Sequence, residues 1–275
     1  MPDCNHDCES CSLECNDRQE PESLQVKANP GSDVKKVIAV VSGKGGVGKS
    51  LVTSLLAVNA RRQGKSVAIL DADVTGPSIP TLFGLKEKAQ SDGTSIYPVK
   101  TKSGILAMSL NLLTDDPAAP VVWRGPLVSS LIRQFWSDVC YGPVDELYVD
   151  MPPGTGDVPL TVFQSLPVSG IVVVTSPQDL VSLIVEKALK MAEMMNIPVI
   201  GLVENMSYLT CPHCGEKIYP YGQSDEAIVK KYKIPLLERL PIDPALASAS
   251  DEGLIEDYKG PYLLKLSKAI ADLKA

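Results

Sequence analysis

Val37-Ile-Ala-Val-Val-Ser-Gly43-Lys-Gly-Gly-Val-Gly-Lys-Ser50 is the stretch that decides the fold. Its opening five residues are β-branched or small and unbroken by polar ones, the pattern of a strand buried on both faces of a parallel sheet. A glycine-rich turn follows with the spacing G-x-x-x-x-G-K-S, and a helical pattern begins at once after it. In that strand–loop–helix context the spacing is that of a phosphate loop. Backbone N–H groups of Gly43, Lys44, Gly45, Gly46, Val47 and Gly48 would wrap the phosphates, and the helix N-terminus adds favourable partial charge. Lys49 would neutralise the β- and γ-phosphates and the Ser50 hydroxyl would ligate Mg²⁺, so ATP and Mg²⁺ are the expected ligands.

Outward from this loop, further buried-strand runs occur at Ser66–Leu70, Glu146–Val149, Gly170–Val174 and Val199–Val203. Helical spacing lies between or after them over 50–63, 125–137, 180–195, 223–232 and 262–273. The alternation predicts an α/β fold, a mostly parallel β-sheet with helices on both faces. Residues 91–110, with Gly93 and Gly104, read as a hairpin at the sheet edge. The organisation expected is an acidic, cysteine-rich tail over 1–34, either disordered or organised by a metal, and one ATPase domain over 35–275.

Two acidic loops stand at strand ends. Asp150-Met-Pro-Pro-Gly154-Thr-Gly156-Asp157 places Asp150 where a carboxylate holds Mg²⁺ through water, with Gly154 and Gly156 in a loop able to sense the γ-phosphate. Asp71-Ala-Asp73 ends the second strand. Either aspartate could orient the attacking water. Asp73 is the favoured water-positioning group, and the alternative for Asp71 is a supporting or capping carboxylate.

The charge is uneven. Of 33 acids and 26 bases, the first 34 residues hold eight acids and two bases, which leaves 25 acids and 24 bases in the rest. A near-neutral body behind an acidic tail argues against nucleic acid and anionic membrane as partners. No apolar run approaches the ~18 residues that span a bilayer, and the N-terminal residues do not resemble a signal peptide. A cytoplasmic, reducing location is therefore expected. The C-terminal 262–273 segment, with Leu263, Leu266, Ile270 and Leu273 at helical spacing, is expected to pack on the domain rather than bind lipid.

In a reducing compartment clustered thiols point to metal or redox chemistry. Cys211-Pro-His-Cys214-Gly215 has the form of a knuckle gripping one metal. A redox pair would need a thioredoxin-like βαβ context, which is missing. A zinc site would need two more ligands. A cluster shared between two chains would gain the second pair by symmetry, making the Cys₄ set of a [4Fe–4S] centre in a homodimer. Cys4, Cys8, Cys11 and Cys15 offer four ligands within one chain, for an iron–sulfur cluster or zinc. Cys140 stands alone and reads as a small buried hydrophobe.

Lys44, inside Lys44-Gly-Gly-Val-Gly-Lys49-Ser50, resembles the signature lysine of the deviant Walker A ATPases, a class that includes the MinD/ParA positioning ATPases and the nitrogenase iron protein. The resemblance narrows to the Mrp/Nbp-type iron–sulfur carriers through Asp73-Val-Thr-Gly-Pro-Ser-Ile-Pro80, Trp123-Arg-Gly-Pro126, the Asp150–Asp157 loop, Thr175-Ser-Pro-Gln-Asp179, Glu204-Asn-Met206 and Cys211-Pro-His-Cys214. It implies a nucleotide-sandwich homodimer in which Lys44 reaches the partner's phosphates. Asn205 would read adenine, Cys211 and Cys214 would bridge a [4Fe–4S] cluster, and the cargo would pass to apo iron–sulfur client proteins. The contrasting reading is a positioning ATPase of the MinD/ParA kind with a zinc knuckle.

Overall fold

The computed structural model describes residues 24–114, 125–178, 183–222 and 227–273. The elements begin with β1 (Asp33–Ser42), α1 (Lys49–Arg62), β2 (Val67–Asp71), α2 (Ile79–Leu82), β3 (Gln90–Ser91), β4 (Ile96–Tyr97), β5 (Val99–Lys100) and β6 (Leu106–Met108). Then come α3 (Gly125–Ser137), β7 (Pro143–Asp150), α4 (Asp157–Ser165), β8 (Val168–Thr175), α5 (Leu183–Met194), β9 (Val199–Thr210) and β10 (Lys217–Ile218). The chain closes with α6 (Ala227–Tyr232), β11 (Leu236–Pro241), α7 (Pro244–Asp251) and α8 (Leu264–Ala271). The mostly parallel sheet flanked by helices is the architecture the alternation predicts.

The main sheet runs β10-β9-β8-β1-β7-β2-β6-β5, with β11 also paired to β9. Its strands are parallel from β6 through to β11, and the short β5 and β10 are antiparallel additions. β1 lies in the middle because its hydrophobic run has two cores to fill. Val37, Ala39 and Val41 face one core with Ile132, Phe135, Val162 and Leu189, whereas Ile38 and Val40 face the other with Leu55, Leu56, Leu266 and Ile270. Full burial of a side chain such as Phe135 contributes roughly 1.5–3 kcal/mol. From β1 the chain crosses to one side of the sheet and later returns to build the other, so the C-terminal ends of β1, β7 and β8 form a topological switch point. The phosphate loop sits there.

Three details differ from the sequence reading. Residues 91–110 hold parts of two turns: β3 and β4 pair in a separate ribbon, and β5 and β6 pair at the sheet edge with Gly104 between them. The last part of the 1–34 segment lies on the body. Trp136 Nε1 donates to the Val26 carbonyl at 2.9 Å, and the buried Asn29 donates to Ser95 Oγ and the Asp138 carbonyl at 3.1 Å each. Cys140 is only half-buried, with its Sγ hard against Gly31. Leu266 and Ile270 of α8 are buried, so that helix packs on the domain as expected. Among the described residues no helix is long and apolar enough to cross a membrane.

Candidate nucleotide site and cysteine knuckle

The loop between β1 and α1 turns into the helix at Gly48, whose φ of 83° is in the left-handed region that favours glycine. A side chain there has no room either: a Cβ would lie 2.2 Å from Asn205 Nδ2. The turn aims the first residues of α1 at the ends of β2 and β7. Lys49 Nζ lies 2.7 Å from Asp150 Oδ1 and 4.0 Å from Asp73 Oδ2, with Lys49 and Asp150 both buried. Ser50 Oγ donates to Asp150 Oδ2 at 2.6 Å, and Thr53 Oγ1 donates to Asp150 Oδ1 at 2.9 Å. One carboxylate thus gathers an ammonium and two hydroxyls, which offsets the cost of burying it. The Ser50 hydroxyl and the Asp150 carboxylate are hard oxygen donors converging on one point, a set that suits Mg²⁺.

A cavity of about 370 Å³ opens over the loop, lined among others by Lys44, Lys49, Ser50, Asp73, Ser78 and Pro153. Lys44 is exposed at its rim. Pro153 approaches Gly45, and Gly154 donates its N–H to the Ser42 carbonyl at 2.9 Å, tying the loop after β7 to the phosphate loop. Gly156 precedes α4. Asp71 and Asp73 occupy different surroundings. Asp71 is buried and accepts from Ile79 N–H and Ser109 Oγ, both at 3.2 Å, so it fastens the loop leading to α2. Burial, with the Asp150 charge, holds its carboxyl well above the usual range. Asp73 lines the cavity, and burial raises its carboxyl against the opposing pull of Lys49.

Asn205 is buried beneath the phosphate loop, where its Nδ2 donates to the Val47 carbonyl at 3.0 Å. Its amide faces the loop's backbone. Thr53 escaped the sequence reading. The phosphate-loop pattern stops at Ser50, and the only signal for Thr53 is its place one helical turn after Lys49.

Cys211 and Cys214 stand at the tip of the β9–β10 hairpin. Gly215 N–H donates to the Cys211 carbonyl and Cys211 N–H to the Glu216 carbonyl, each at 2.9 Å, closing the knuckle. Gly215 supplies the positive φ of 76° that this tight turn needs. Cys211 is partly exposed and Cys214 exposed. Backbone N–H groups of Cys214 and His213, with the Cys214 side chain, lower the Cys211 thiol from its ordinary value. Among the described residues no group of three or more His, Cys, Asp or Glu converges as a metal site, so the knuckle offers two thiols and no third ligand. Cys4, Cys8, Cys11, Cys15, Trp123, Arg124 and Asp179 lie outside the described residues.

Residues 33–272 match the family model described as ParA: NUBPL iron-transfer P-loop NTPase. The chain belongs to this family. The iron–sulfur cluster carrier protein of Methanocaldococcus jannaschii is 42% identical over an alignment covering 100% of this chain and 95% of that protein. The protein of the same name from Clostridium perfringens is 44% identical, covering 86% of this chain and 87% of its own length. Among solved structures, a nucleotide-binding protein of Archaeoglobus fulgidus in complex with ADP is 45% identical with a TM-score of 0.75, covering 84% of this chain and 91% of that one. The cell-division ATPase MinD of Pyrococcus furiosus, 21% identical with a TM-score of 0.61 and covering 87% of this chain and 99% of its own, shares the fold. The expected placing among the iron–sulfur carriers of the deviant Walker A class is borne out. For a member of the NUBPL family the sequence signal was strong because the phosphate loop and its acidic partners are contiguous motifs.

Proposed function

We propose that the protein is an ATPase that carries an iron–sulfur cluster, binding a [4Fe–4S] cargo between two copies of the chain and delivering it to apo-proteins. The observation that carries this reading is the half-site: two accessible thiols on a hairpin tip, lacking further ligands among the described residues. Two copies related by a two-fold axis would supply four thiols. The names of the relatives from Methanocaldococcus jannaschii and Clostridium perfringens support the same cargo.

At the nucleotide site Lys49 would shift its contact from Asp150 toward the β- and γ-phosphates of ATP. Ser50 and Asp150 would hold Mg²⁺, which supplies charge neutralisation to the phosphates. Asp73, partly exposed within the cavity, is placed to orient the attacking water. Lys44 would reach the partner's nucleotide as the sandwich closes.

Anaerobic reconstitution with iron and sulfide tests the cargo. A shared [4Fe–4S] cluster predicts about two irons per chain at the knuckle and loss of that absorption in Cys211→Ser and Cys214→Ser. Wild-type protein that takes up zinc but no iron–sulfur chromophore, or that passes nothing to an apo-acceptor, defeats the reading.

A further inference from the structure

Thr53 is fully buried in α1, in a stretch where Val52, Leu55 and Leu56 fill the core. A β-branched hydroxyl residue is a poor helix former, so neither propensity nor apolar packing accounts for it. The contrast with its neighbour is informative. Ser54 is equally buried, yet its hydroxyl has no hydrogen-bond partner among the described residues. The Thr53 hydroxyl has two.

Those two acceptors compete for one proton. The Lys49 carbonyl lies 3.0 Å from Thr53 Oγ1, one helical turn back, and Asp150 Oδ1 lies at 2.9 Å. A single O–H cannot serve both fully. Bonding to the carbonyl four residues earlier is a local habit of threonine in helices, so the carboxylate is the partner that needs explaining. Asp150 Oδ1 is shared in its turn, between Thr53 and Lys49 Nζ at 2.7 Å, whereas Oδ2 accepts from Ser50 Oγ at 2.6 Å. Thr53 follows Lys49 by four residues and Ser50 by three, so all three side chains meet at the end of β7.

We propose that Thr53 is a positioning residue for the Asp150 carboxylate, its hydroxyl taking over Oδ1 when Lys49 turns to the phosphates of ATP. While the ammonium holds Oδ1, the Thr53 proton is divided between that oxygen and the Lys49 carbonyl. Once the ammonium leaves, Oδ1 is a buried anionic oxygen with Thr53 as its remaining donor among the described residues. Leaving such an oxygen unpaired is costly. Rotation about the Thr53 Cβ–Oγ1 bond brings the proton wholly onto Oδ1, and neither side chain has to move. The bonded oxygen fixes the plane of the carboxylate, so Oδ2 stays aimed at Ser50, the pair that would hold Mg²⁺. Thr53 thus acts through Asp150 alone. The inference rests on reading the loop as an ATP site with Mg²⁺ between Ser50 and Asp150.

The test uses the full chain as wild type, Thr53→Val, which keeps the shape, and Thr53→Ser, which keeps the hydroxyl. Thr53→Ala is the further variant should the valine chain not fold. Binding of AMPPNP is measured by calorimetry across a Mg²⁺ titration and again in EDTA. Thr53→Val should raise the half-saturating Mg²⁺ concentration by about tenfold, the scale of one hydrogen bond to a charged group. Thr53→Ser should recover most of that loss. A purely structural role would weaken binding by the same factor with and without Mg²⁺ and leave the half-saturation point unmoved, an outcome that overturns the proposal. A serine variant as impaired as the valine one also overturns it, because the methyl group rather than the hydroxyl would then matter. Mg²⁺-dependent binding in the wild type with an indifferent Thr53→Val strikes this inference and spares the site. A wild type whose nucleotide binding ignores Mg²⁺ removes the site reading and the inference together.

Discussion

Asp71 and Asp150 end neighbouring strands and pair in the β2–β7 register, yet their partners differ in kind. Asp150 has the Lys49 ammonium, whereas among the described residues Asp71 accepts from the neutral N–H of Ile79, the N–H of Asp73 and the hydroxyl of Ser109. Burial without a bonded cation, beside a second carboxylate, favours the protonated form of Asp71, and its carboxyl titrates well above the usual range. The folded chain then binds more protons at this site than the unfolded chain does. Stability from Asp71 is complete below the ordinary carboxylate range of about 4 and is lost as pH rises through the folded pKa. Asp71→Asn, which cannot ionise, should flatten the decline of the urea midpoint measured from about pH 4 upward. A variant with the wild-type slope would place the titrating group elsewhere. None of this contrast was readable in Asp71-Ala-Asp73. The spacing marks both acids as candidates, and only burial and partners separate the one that fastens a loop from the one that lines the cavity.

Helix α7 shows why some elements stay hidden in sequence and what holds them in place. Its residues Pro-Ala-Leu-Ala-Ser-Ala-Ser-Asp contain one large apolar side chain, Leu246, so no apolar stripe betrays it. Asp243 compensates. Its Oδ1 accepts from Ala245 N–H at 2.9 Å and Leu246 N–H at 3.3 Å, and its Oδ2 from Tyr258 OH at 2.5 Å and Tyr262 OH at 2.9 Å. Burial works to raise this carboxyl, but the phenols and the N–H groups outweigh it, so the net shift is downward. One side chain therefore caps α7 and pins the segment that enters α8. Asp243→Ala should cost about 2–3 kcal/mol in denaturant unfolding, the sum of a lost cap and weakened phenol bonds. The loss should shrink as pH falls through the depressed folded pKa, where the wild-type carboxylate is also neutralised. A change under about 0.5 kcal/mol would mean that the cap is dispensable. β11 and α4 were hidden for related reasons. β11 carries Glu238, Arg239 and Pro241 in six residues, and α4 has Pro159 in its first turn. The long hydrophobic strands and α3 were plain because their burial demands an unbroken or periodic pattern.

The sheet places two kinds of chemistry on one framework. The residues of the proposed nucleotide site gather at the C-terminal ends of β1, β2 and β7, and the thiols stand beyond the C-terminal end of the parallel β9. The nucleotide half has its charged partners within the chain, since Lys49, Ser50, Thr53 and Asp150 already converge. The thiol half does not, and the proposed homodimer must supply what is missing. A mixing experiment separates a shared site from a self-contained one. Wild-type chains are co-expressed with tagged Cys211→Ser/Cys214→Ser chains in varied ratio, and the iron–sulfur chromophore is measured after reconstitution. Subunits that pair at random and share one cluster hold it only as wild-type pairs. Occupancy then follows the square of the wild-type fraction, so about a quarter of the pairs are competent at equal mixing, against about half of the chains for a site each chain completes alone. Iron held at Cys4, Cys8, Cys11 and Cys15 would be a constant background, because both kinds of chain keep those residues. Subtracting the signal of the pure double variant leaves the knuckle's share. A quadratic fall supports the bridged cluster, and a linear one excludes it whatever the metal content, since no shared site can be insensitive to the partner's thiols.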